Sequence, residues 1–251
     1  MSLRIGNRLF APPVWGVVLA ALGLAAFVAL GSWQLGRAGE KQALRDAFTA
    51  GGEQTVDATG LRFDGLDRYQ RVRLRGSYDA ARQILLDNMP SASGRPGYRV
   101  LTPLDRADGR GWVLVDRGWV PLGATREALP VVAVDTRERE VSGILDVLPI
   151  PGLRVGPAAA PDDASWPRVL LFPTEADVES ALDADVEPRI ILLDAGQPNG
   201  FERQWRPSLG FGPERHLGYA VQWFAFALVT VVLFIALNLR RVGADQEPDP
   251  S

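Results

Sequence analysis

The chain of 251 residues carries a formal net charge of -3, a balance that points away from a nucleic-acid partner. It contains no cysteine and one histidine, which excludes disulfides, Cys-ligated zinc, Fe–S clusters, thiol catalysis and covalent haem attachment through C-x-x-C-H. Copper sites draw on Cys and Met or on several imidazoles, so a single His, with Met89 the only methionine after the first residue, argues against copper carriage.

Residues 1–13 read as a short cytoplasmic N-terminus holding Arg4 and Arg8. Residues 9–36 carry no formal charge, and their core from Val14 to Leu30 is almost wholly apolar. A bilayer core needs about 20 apolar helical residues, so 14–33 is expected as a first transmembrane helix. Trp15 and Trp33 stand at its edges, as in an interfacial aromatic belt. The competing reading is a signal peptide, because Ala29-Leu30-Gly31 resembles a small-residue cleavage site; the apolar run exceeds the ~15-residue core of such a peptide. The helical pattern continues from Gln34 to Phe48, and Gly51-Gly52 supplies a stop.

Residues 34–214 form the body between the spans. In "YQRVRLRGSY", Val72 and Leu74 alternate with Arg71, Arg73 and Arg75, the period of a half-buried strand with a solvated basic face. "QILLDN", "GYRVLTPL", "GWVLVDRGWVP", "REREVSGILDVL" and "RIILLD" are further runs of strand-forming residues punctuated by Gly, Pro, Asn and Asp. "PTEADVESAL" is expected as a helix, with Thr174 as N-cap and Asp177 three residues on. The Pro-, Gly- and Ala-rich stretch 149–167 reads as an exposed loop. Short strands with one helix predict a mainly antiparallel, barrel-like sheet of α+β type. Within "DRGWVP", Arg117 and Trp119 around Gly118 either face a partner or a haem edge, or close a strand end in which Trp119 packs and Pro121 turns the chain.

A second span is expected at 215–239. Leu217–Leu239 is 23 residues without a charge, closed by Arg240-Arg241. At about 1.5 Å per residue it reaches roughly 34 Å, enough to cross with some tilt. Residues 240–251 read as a disordered cytoplasmic tail. Arg4, Arg8, Arg240 and Arg241 favour both termini inside, although Arg37, Lys41, Arg45, Arg203, Arg206 and Arg215 lie on the other flanks.

No G-x-S-x-G, H-E-x-x-H, P-loop or G-x-G-x-x-G motif is present, so hydrolytic or redox catalysis has little to work with. Noncovalent haem is different, since one imidazole and apolar walls suffice. His216, Tyr219 and Trp223 share one helix face at i, i+3 and i+7, with Phe224 adjacent. Arg215, Arg206 and Arg203 are the nearby candidates to pair with propionates. The alternative is that His216, Tyr219 and Trp223 merely anchor the helix at the interface.

The chain resembles the Surf1/Shy1 family of cytochrome c oxidase assembly factors. The likeness opens with "LGSWQLGRAGEK", similar to the family's L-G-x-W-Q-x-x-R-x-x-x-K, which gives Gly31, Trp33, Gln34, Arg37 and Lys41. It continues through "YQRVRLRGSY", "GYRVLTPL" and "VLVDRGWVP", and ends with "HLGYAVQWFAFA", similar to H-L-x-Y-x-x-x-W-F. This chain departs from the pattern at Glu40 and at Glu214-Arg215. The resemblance implies a bacterial inner-membrane protein with both termini cytoplasmic and the central domain periplasmic. It implies noncovalent, transient binding of haem a, with His216 as axial ligand of the iron. The implied partners are cytochrome c oxidase subunit I, the haem a-synthesising enzymes and the lipid bilayer. A scaffold that holds assembly intermediates without haem is the second expectation.

Overall fold

A computed structural model describes residues 3–6, 8–91, 93–123, 125–126, 128–149, 165–207 and 211–241. Most of the expected loop at 149–167, and the expected tail from 242 on, lie outside the described residues. In chain order the elements are β1 (Leu3–Ile5), β2 (Arg8–Phe10), α1 (Val14–Gly51), β3 (Thr55–Asp57), β4 (Arg71–Tyr78), β5 (Ile84–Leu86), β6 (Gly97–Arg106), β7 (Trp112–Pro121), β8 (Arg139–Asp146), β9 (Arg168–Leu170), α2 (Glu175–Leu182), β10 (Ile190–Leu193), α3 (Pro213–Asn238) and β11 (Leu239–Arg241). They divide into two units, one made of Met1–Leu44 with Leu209–Ser251, the other of Arg45–Ser208.

In the first unit, α1 and α3 are both long and apolar enough to cross a membrane. Pro12-Pro13 stand at the entry of α1, where a missing N–H costs nothing, and no proline follows until after the helix has ended. Pro213 plays the same role at the first turn of α3. The two helices run antiparallel. Phe27 stacks on Trp223 with ring centres 5.9 Å apart, and Gly31 lies under the Phe224 ring. Ala220 and Ala227 are buried, seven residues and hence two turns apart on one face. Small side chains there let the helix backbones approach closely. Gly218 and Ala225, which share the small size, lie on exposed faces. Beyond the spans, β2 pairs with both β1 and β11 in a small antiparallel sheet.

The second unit is an eight-stranded sheet in the order β3-β4-β8-β10-β7-β6-β5-β9, and an added β4–β6 pairing closes five of these strands into a barrel. Most pairings are antiparallel; β10–β7, β3–β4 and β5–β9 are parallel. Alternation explains β4: Val72, Leu74 and Tyr78 point into the barrel core with Val113, Val115 and Ile191. Arg73 and Arg75 on the other face are exposed. Both faces of β6 and β7 are buried over most of their length, because a second apolar cluster (Leu85, Tyr98, Val100, Val120, Val132) packs outside the ring. In α2 the capping box is complete: the Asp177 backbone N–H donates to Thr174 Oγ1, and the Thr174 N–H donates to the Asp177 carboxylate. The helix buries Val178 and Leu182. Two membrane-spanning helices thus flank a β-rich body built on a closed barrel, as the strand and span patterns led one to expect.

Candidate functional site

The single histidine sits in the first turn of α3, four residues after its glycine N-cap. It does not stand alone. His216 Nδ1 donates to Gln34 Oε1 of α1 at 2.7 Å, in a half-buried setting. An amide oxygen only accepts, so the ring nitrogen facing it carries a proton, and in the neutral imidazole Nε2 then carries the free lone pair. Nε2 has no hydrogen-bond partner among the described residues, and it is not among the buried unpartnered polar atoms. The site therefore offers one imidazole lone pair, open to the surroundings of the helix pair.

The flanking side chains divide by helix face. Trp223 packs inward on Phe27 and meets Phe226 edge-on at 5.8 Å. Tyr219 is 43% exposed and Phe224 is 37% exposed, so both present aromatic surface outward. Trp33 is 57% exposed. Arg37 pairs with Glu40 on its own helix. The Arg215 guanidinium lies 4.3 Å over the Phe211 ring, a cation–π contact. The structure brings Gln34 and His216 together. Tyr219, Phe224 and Trp33 remain on open surface beside them.

A donor set of one imidazole suits one axial bond to a haem iron and too little else to hold a bare metal ion. The partly exposed rings of Tyr219 and Phe224 give flat apolar surface on the same helix. On these observations the residues present fit a haem held by a single protein ligand. Sequence spacing did not reveal Phe27 as part of this arrangement. Its signal was available: Phe27, Gly31 and Gln34 recur at i, i+4 and i+7 on one face of α1.

Arg117, Gly118 and Trp119 lie in the second unit, inside the body of the barrel. Arg117 is 1% exposed. It donates to Gln83 Oε1, Thr102 Oγ1 and the carbonyls of Val132, Ala133 and Asn199, and its guanidinium lies over the Phe201 ring. Burial pushes Arg117 down to about 10 and the neighbouring Tyr78 phenol up to about 12. Gly118 has φ +112, and a Cβ there would lie 2.7 Å from the Glu202 carbonyl oxygen, so only glycine fits. Trp119 is buried and its Nε1 donates to the Met89 carbonyl at 2.8 Å. The block "DRGWVP" thus ties the end of β7 to residues 199–202. Arg203, a candidate for propionate pairing, donates instead to the carbonyls of Asp194, Ala195 and Gln197.

Comparison with known proteins gives a consistent picture. The family model described as the SURF1 family matches residues 21–228. A SURF1-like protein of Rickettsia conorii is 24% identical over 88% of this chain and 90% of its own length. A SURF1-like protein of Rickettsia felis is 23% identical over 83% of this chain and 90% of its own. Surfeit locus protein 1 of Takifugu rubripes is 30% identical over 46% of this chain and 55% of its own.

Proposed function

This chain belongs to the SURF1 family, and from that premise we propose that it is an assembly factor for haem-copper (cytochrome c) oxidase. It binds haem a noncovalently at the outer end of the second span and helps its insertion into subunit I. The observation that carries this reading is the Nε2 of His216, without a hydrogen-bond partner among the described residues, on a ring whose Nδ1 donates to Gln34. His216 would supply a nitrogen ligand to the haem iron, Tyr219 and Phe224 would offer apolar surface to the macrocycle, Trp223 would back them from the helix interface, and Arg215 would supply charge for a propionate. One protein ligand suits a carrier, since a cargo clamped on both axial sides leaves slowly. No bond of the haem changes, so the chain acts as a carrier and not as an enzyme. The enzymes that make haem a are the natural donors. The protein works in the bacterial inner membrane, with both termini cytoplasmic and the barrel in the periplasm.

The test is spectroscopic. The protein is purified from cells that make haem a, with and without His216→Ala, and its absorption spectrum recorded. We expect haem in the wild type and its loss in the variant; haem retained at unchanged stoichiometry and spectrum overturns the ligand assignment. A wild type without haem favours the second reading, a membrane scaffold for oxidase intermediates. Gly218 supports that reading: it lies on an exposed face with nothing within 4 Å of where a Cβ would stand, leaving room for another helix.

A further inference from the structure

We infer that Gln34 is the positioning residue for His216, fixing which ring nitrogen is bare and tuning how strongly it donates. This rests on the haem reading for its purpose but not for its geometry. The two residues are 182 positions apart and meet at 2.7 Å. Their meeting is set by the helix register. Phe27 on Trp223 and Gly31 under Phe224 pin α1 against α3 two turns and one turn away from Gln34. The amide oxygen accepts from Nδ1–H and so selects, in the neutral ring, the tautomer whose Nε2 is bare. A free imidazole has no such bias imposed on it.

The choice of acceptor matters. Histidines that bind metal usually pass their second N–H to a carboxylate, a carbonyl or water, and a carboxylate raises the basicity of the ring most. A neutral amide orients the ring without pushing it toward imidazolate. Such a ring would offer iron a directed ligand of moderate strength, the property a donor of haem requires. Arg37 and Glu40, further along α1, pair with each other, and the partner of the ring is the neutral amide of Gln34.

Because the chain has one histidine, histidine-selective 15N labelling of the full-length protein in detergent reports a single imidazole. Without haem, and at a pH where the ring is neutral, the wild type should show a protonated Nδ1 and a bare Nε2, and Gln34→Leu should lose that bias. A wild type with Nε2 protonated, or a Gln34→Leu spectrum identical to wild type, overturns the inference whether or not haem binds. With haem a, Gln34→Ala should weaken binding by about 10- to 100-fold and lower the Fe–His stretching frequency in resonance Raman spectra of the ferrous form. Gln34→Glu should raise that frequency and slow transfer of haem to apomyoglobin. Wild-type affinity and an unchanged Fe–His frequency in both variants, with haem lost in His216→Ala, sink the role of Gln34 while leaving the ligand assignment standing. Haem bound equally by His216→Ala sinks the ligand assignment while the tautomer measurement still decides the role of Gln34.

Discussion

Two arginines buried in the barrel domain show how differently a cation can be accommodated. Arg117 has no carboxylate partner among the described residues; three carbonyls, an amide oxygen and a hydroxyl accept from its guanidinium. Arg106, equally buried, donates to Glu187 Oε1 at 2.8 Å and to the Asp108 carboxylate at 2.6 Å. Its remaining bonds go to the Ala58 and Leu61 carbonyls. Glu187 is itself almost fully buried and also accepts the Phe63 N–H. Breaking such a pair strands a charge in a low-dielectric interior, at a cost of about 3–5 kcal/mol. We expect Arg106→Met to destabilise the protein by that amount in urea unfolding followed by tryptophan fluorescence. A loss under 1 kcal/mol would mean that Glu187 finds water once its partner is gone. At this scale His216 was legible in the sequence as the lone imidazole, and Gln34 as one position of a motif. Their hydrogen bond was not, because nothing in either segment states the register of two helices 182 residues apart.

Elements were legible in proportion to their length and period. β4 alternates cleanly and α2 announces itself by Thr174 and Asp177, so both follow from local chemistry. β3 and β9 are three residues each and pair in parallel with β4 and β5. Three residues carry no measurable period, and a parallel pairing leaves no turn between the partners. "IILL" in β10 reads as a buried run, but which neighbours it joins is a property of the closed ring. Gly143 shows how tight that ring is. It stands opposite Leu193 on β10, and a Cβ there would overlap the Leu192 carbonyl oxygen. Backbone cannot yield as a side-chain tip does. Gly143→Val should therefore cost at least ~1–3 kcal/mol, seen as a lowered midpoint of thermal unfolding, with His216 chemistry in the helix unit untouched. A variant that melts like the wild type would show that β8 and β10 part more readily than their register suggests.

For the molecule as a whole, the proposed topology puts the segments outside the two spans on one side of the bilayer and the barrel on the other. The absence of cysteine makes this simple to test with single introduced thiols. Glu140→Cys, exposed on the barrel, should react with a membrane-impermeant maleimide in intact spheroplasts. Arg8→Cys, exposed ahead of the first span, should react only after lysis. The opposite pattern overturns the proposed orientation.

The position of β10 in the barrel also dictates a timetable. It is the last strand of the ring in the sequence, yet it sits between β8 and β7 and joins the two. Until residues 190–193 are available, β7 and β8 each expose an unpaired edge. During synthesis β8, β4, β6 and β7 can pair as an open sheet, but the ring stays unclosed because the non-local pairings of β10 have not yet been made. Barrel closure comes only as the ribosome approaches α3, so the second span and the finished domain are late, neighbouring events in the life of the chain.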